Sequence, residues 1–66
     1  MHITLNGHSK DIADRINLEA LVEQCCDTHK LIVAEVNGTV IKKQEWPARI
    51  IARGDVIELV NFVGGG

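Results

Sequence analysis

The sequence predicts an α+β fold: a small mixed sheet with one main helix across one face. Three observations carry this. Two Asn-Gly pairs, Asn6-Gly7 and Asn37-Gly38, are each flanked by apolar alternation. This pair is the favoured centre of a two-residue type I′ hairpin. One stretch only, "NLEALVEQCC", changes to a helical period. And a long apolar run, "VIELVNFV", comes last, needing partners on both edges.

The elements follow in order. Ile3 and Leu5 alternate with His2 and Thr4, a first strand ending at the Asn6-Gly7 turn. A more polar second strand runs from His8 to Ile12. Leu18, Leu21, Val22 and Cys25 then fall at i, i+3, i+4 and i+7, one face of a helix. Asn17 suits the N-cap, and Glu19 suits the positive end of the helix dipole. The helix is expected to end near Asp27-Thr28, with His29 or Lys30 close to its last carbonyls. In "LIVAEV", Ile32, Ala34 and Val36 face one side and Glu35 the other. After Asn37-Gly38, a short strand covers Thr39 to Ile41. "KKQEWPARIIARGD" is a connection with one helical turn near Gln44 to Trp46. Pro47, lacking an N–H, should restrict any helix there to one starting at or near it. Trp46 is expected to fill a satellite core under this connection, and Gly54-Asp55 to form a turn. A last strand follows over residues 56 to 63, with Ile57, Leu59 and Val63 on one face. Val56, Glu58, Val60 and Phe62 take the other.

The order is β-β-α-β-β-β. A single helix must cover one face of the sheet, since isolated hairpins and short helices are unstable alone. Placing the last strand centrally, beside the first, buries its apolar face. This is the β-grasp, ubiquitin-like arrangement. It occupies residues 1–63, with residues 64–66 as a flexible glycine tail.

At 66 residues the chain is one domain with a small core. The formal charge of −2, with acids and bases interspersed, speaks against nucleic-acid binding. Lys42-Lys43 is the one basic pair, expected on a solvated turn. No apolar run approaches the ~20 residues of a membrane span, and "MHITLNG" lacks the pattern of a signal peptide. A soluble, cytoplasmic protein is the expectation. Cys25 and Cys26 are adjacent, with Cα atoms about 3.8 Å apart, below the usual disulfide range of about 4.4–6.8 Å. They are expected as reduced thiols.

The side chains offer little chemistry. Cys25 and His29 could meet as a thiol–imidazole pair, but Cys25 reads better as a small buried hydrophobe and His29 as a helix-end residue. Adjacent helical residues point about 100° apart, so Cys25, Cys26 and His29 make a poor metal set. His2 and His8 could approach across the hairpin, but two imidazoles are no metal site. Glu58 suits a solvated outer face, and Asp55 a turn. No catalytic residue, no metal site and no bound cofactor is expected.

The tail remains. Gly64-Gly65-Gly66 can be a frayed end, an appended scar or a substrate arm. On the last reading a stalk without β-carbons threads a narrow channel and delivers the Gly66 carboxylate to another protein's active site. Val56, Val60 and Phe62, on the face away from the helix, would then be the docking surface.

Val36-Asn37-Gly38, Trp46, Gly54-Asp55 with Ile57-Glu58-Leu59-Val60, and Val63-Gly64-Gly65-Gly66 together resemble the sulfur-carrier family of thiamine biosynthesis. The similarity covers the whole chain. One departure is Lys42-Lys43, where the family commonly has Pro-Arg. The resemblance implies a carrier that is itself no enzyme. A ubiquitin-activating-like adenylyltransferase would consume ATP to adenylate Gly66. A persulfide sulfur donor would convert the adenylate to a thiocarboxylate, and thiazole synthase would accept the sulfur. The alternatives are a related carrier serving molybdopterin or tRNA thiolation, a protein modifier, or a plain β-grasp interaction domain with an inert tail.

Overall fold

The computed structural model describes residues 1–26 and 31–62, with the side chain of Phe62 left aside. Strands β1 (His2–Leu5) and β2 (His8–Asp11) form the first hairpin. Helix α1 (Leu18–Cys25) follows, then β3 (Leu31–Val36) and β4 (Thr39–Ile41). A 3₁₀ helix spans Lys43–Ala48, and β5 (Val56–Phe62) is the last element. The sheet order is β2-β1-β5-β3-β4. β5 is central, parallel to β1 and antiparallel to β3. This is the β-grasp arrangement.

Both hairpin turns are type I′. Asn6 and Gly7 have φ of 49° and 81°, and Asn37 and Gly38 have φ of 52° and 84°. Positive φ at both central positions is what that turn demands, and Asn and Gly tolerate it best. The turn twist matches the strand twist, so β1–β2 and β3–β4 close in register.

The core lies between the sheet and α1. Leu18, Leu21 and Val22 of the helix meet Ile3, Ala34, Val36, Ile57 and Leu59 of the sheet. The flank is closed by pairing around the 3₁₀ helix. Leu18 N–H donates to the Arg49 carbonyl, and Ile51 N–H donates to the Ile16 carbonyl. Asn17 caps α1 as expected, its Oδ1 accepting from Ala20 N–H at 2.8 Å.

Four expectations need correction. Cys25 is exposed rather than buried. The helix ends at Cys25, and Cys26 takes an extended conformation that packs it against the core. The helical stripe therefore stops one turn early, and Cys26 takes the place its period assigned to Cys25. For the same reason the helix stops short of Asp27-Thr28. Those residues, with His29 and Lys30, lie outside the described residues. Third, Pro47 sits inside the 3₁₀ helix instead of starting it. Its fixed φ suits 3₁₀ geometry, and its missing N–H forfeits one bond only. The Arg49 N–H then closes the element on the Glu45 and Trp46 carbonyls. Fourth, Trp46 belongs to the main core, not a satellite: it is 6% exposed, and its Nε1 donates to the Ile41 carbonyl at 2.9 Å.

Candidate functional site

The last strand is held at its start by side chains as well as by its neighbours. Asn37 N–H donates to the Val56 carbonyl, and Val56 N–H donates to Asn37 Oδ1 at 2.9 Å. Asn37 Nδ2 donates to Asp55 Oδ1, while the other Asp55 oxygen accepts from Ala52 N–H. Asp55 is thus the buried turn former expected of it, with both carboxylate oxygens satisfied. On the other flank, Asn6 N–H donates to the Ile57 carbonyl, and Asn6 Oδ1 accepts from Leu59 N–H at 2.8 Å. β1 ends there, and β5 runs on to Phe62 beside β3. The strand therefore projects residues 60–62 beyond its first neighbour, toward the glycine tail in sequence.

Alternation along β5 puts Ile57 and Leu59 in the core and Val56, Glu58 and Val60 on the opposite face. Val56 is 48% and Val60 43% exposed, so both expected docking residues lie on an open face. Register places Val33 opposite Val60, Glu35 opposite Glu58 and Val40 opposite Glu35. Val40 is 59% exposed, and Leu31, on the same face of β3, is exposed as well. Among the described residues no helix covers this face, which leaves Val40, Val56 and Val60 open to solvent. The third expected docking residue, Phe62, has its backbone in β5 opposite Leu31; its side chain lies outside the described residues. So do Val63 and the tail residues Gly64, Gly65 and Gly66.

The sequence places Glu35 on the outer face of its strand but gives no site role to Leu31, Val33, Glu35 or Val40. The alternation of "LIVAEV" carried the signal for the first three. Their pairing with β5 and β4 needs the register.

Elsewhere among the described residues there is no catalytic constellation. A dent of about 190 Å³ is lined by Ile41, Glu45, Ala48 and Arg49. That is below the ~300 Å³ at which small-molecule pockets begin. Among the described residues no three His, Cys, Asp or Glu side chains are grouped to hold a metal. No helix among them is long and apolar enough to cross a membrane. Both cysteines are free thiols. Burial, and then the neighbouring Cys25, push the Cys26 thiol up, which makes it a poorer nucleophile at neutral pH.

The profile of the ThiS family matches residues 3–66, the strands, the helix and the glycine stretch together. The chain belongs to the ThiS family. Members of the ThiS family are small sulfur-carrier proteins of thiamine biosynthesis, not enzymes. A crystal structure of the thiamine biosynthesis protein ThiS from Geobacter metallireducens superposes with a TM-score of 0.83 at 27% identity, covering 100% of both chains. A solution structure of a thiamine biosynthesis protein from the same organism gives a TM-score of 0.79 at 29% identity, covering 100% of this chain and 88% of that one. An uncharacterized protein, ycf40, of Trieres chinensis is 34% identical over 62 residues, 94% of this chain and 85% of that protein. A thiazole synthase of Paramagnetospirillum magneticum is 26% identical over 66 residues, all of this chain but 20% of that protein.

Proposed function

We propose that this ThiS-family chain carries sulfur as a thiocarboxylate on Gly66 and delivers it for thiazole formation. A carboxylate is a poor acyl donor. In the first step a Gly66 carboxylate oxygen attacks the α-phosphorus of ATP in a ubiquitin-activating-like adenylyltransferase, and pyrophosphate leaves. The acyl-adenylate has AMP as a good leaving group. The terminal sulfur of a persulfide donor attacks the carbonyl carbon and AMP departs, leaving an acyl disulfide. A second thiol reduces its S–S bond and frees the thiocarboxylate, which thiazole synthase consumes. ATP is the partner's substrate, not a cofactor of the carrier. The carrier supplies reach through Gly64, Gly65 and Gly66 and docking through Val56, Val60 and Phe62. Free thiols suit a reducing cytoplasm as the site of action.

The single observation behind this reading is the family match, which runs through the glycine stretch to residue 66. The thiazole synthase that contains a similar stretch within one chain supports the choice of acceptor. The test is pyrophosphate exchange with the adenylating partner. One extended residue contributes at most about 3.3–3.6 Å of reach, and reacting atoms must approach to about 3–3.5 Å. Deleting Gly66 therefore withdraws the carboxylate by a whole attack distance. Gly65→Val keeps the reach but adds a branched side chain. Both variants should keep the wild-type circular dichroism spectrum and lose most of the exchange. Exchange at the wild-type rate in both would reduce the glycines to a spectator end.

A further inference from the structure

On the open face of the sheet, Glu35 of β3 stands directly opposite Glu58 of β5. Like charges placed across neighbouring strands destabilise a sheet. On its other side Glu35 stands directly opposite Val40 of β4, which carries no charge. Among the described residues, the ion pairs involve the Met1 ammonium and His2 with Asp11 and Asp14, and neither glutamate takes part. Valines flank the two carboxylates: Val33 and Val60 along the strands, Val40 to one side and Val56 further along β5. An acidic pair that takes part in no ion pair among the described residues, set in an exposed apolar face, is a cost to the free protein.

We infer that Glu35 and Glu58 together receive a basic side chain, best an arginine, from the protein that docks on this face. A guanidinium is planar and carries several donors, so one group can satisfy both carboxylates. The surrounding valines would exclude water from the pair as the partner closes over it. Charge complementarity selects this occupant over others. A second copy of the chain would bring four carboxylates together. A phosphate backbone or an anionic lipid surface would be repelled. The net charge of −2 also favours encounter with a basic surface.

The inference rests on the proposal that this face docks the adenylating enzyme, and the test separates the two. Binding to that enzyme is measured by titration calorimetry at low and high salt, beside pyrophosphate exchange. The proteins are wild type and Glu35→Gln/Glu58→Gln. The double variant should bind at least about tenfold more weakly at low salt. Its affinity should also respond less to salt. Its unfolding midpoint should equal or exceed that of wild type, because a repulsion has been removed. Affinity within twofold of wild type, while exchange proceeds normally, would overturn the inference and leave the carrier reading standing. Glutamate-dependent binding without any exchange would do the reverse. A lower unfolding midpoint would also overturn the inference, since the pair would then be stabilising the sheet. So would self-association through this face, detected by sedimentation.

Discussion

Asn37 adopts φ 52° in its hairpin, donates through Nδ2 to Asp55 at 3.0 Å, and accepts at Oδ1 from Val56 N–H at 2.9 Å. Asn6 holds the equivalent place in the first hairpin but makes one such side-chain bond, to Leu59 N–H. The difference is measurable. Asn37→Ala should cost roughly 2 kcal/mol for two hydrogen bonds of about 1 kcal/mol each, and somewhat more for a left-handed conformation that Ala tolerates poorly. Asn6→Ala should cost about half as much. Urea unfolding of both variants checks the order, and a larger loss at Asn6 would contradict it. The turns themselves were plain in the sequence, because Asn-Gly states its own backbone demand. The side-chain bonds were hidden, because Val56 lies 19 positions from Asn37 and Leu59 lies 53 from Asn6. The acidic pair of Glu35 and Glu58 was hidden likewise: each glutamate reads as an ordinary solvated residue until the register sets them side by side.

At the scale of elements, the helix had a legible beginning and an illegible end. Asn17 announces the start through its cap, and Leu18, Leu21 and Val22 announce the buried stripe. No glycine marks the stop. The chain leaves the helix at Cys26 through an extended conformation, and the last predicted core position moves to solvent. Two adjacent thiols consequently differ in kind. Cys25 is exposed, while Cys26 is half-buried with its thiol pushed up by desolvation and by its neighbour. With iodoacetamide at pH 8, Cys25 should be alkylated several-fold faster than Cys26, as read by peptide mass mapping in time. Equal rates would show that the packing of Cys26 is not maintained in solution. The 3₁₀ helix was half legible in the same way. Its place was evident, but Pro47 marks a break only for α-helical bonding.

For the molecule as a whole, the topology was legible because burial forces it. A strand with the apolar content of β5 needs two neighbours, and the centre of the sheet is the one place that provides them. Alternation already placed Val56, Glu58 and Val60 on the open face, whereas the β3 and β4 residues that stand beside them depended on pairing and were not legible. The two faces should respond differently to truncation. At about 0.05–0.15 kcal/mol per residue, a chain of 66 residues has only about 3–10 kcal/mol to lose. Leu21 is fully buried, and Leu21→Ala should cost about 2–5 kcal/mol. That lowers the melting temperature by roughly 10 °C or more, or unfolds the domain outright. Val60→Ala, on the open face, should cost below about 1 kcal/mol. Thermal melts followed by circular dichroism compare them directly, and a Val60→Ala loss as large as that of Leu21→Ala would make the open face part of the core.

The parallel pairing of β1 and β5 also has a mechanical consequence. A pull on the far end of β5, away from residue 1, runs along both strands in opposite senses. The bonds from Gly54 to His2, Thr4 to Asp55, Asn6 to Ile57 and Leu59 to the Asn6 side chain are then strained sideways and together. They cannot open one after another like a zipper, so the force is shared among them. A terminal segment drawn tight into a partner would tug along this axis, the direction in which the small body best resists unravelling.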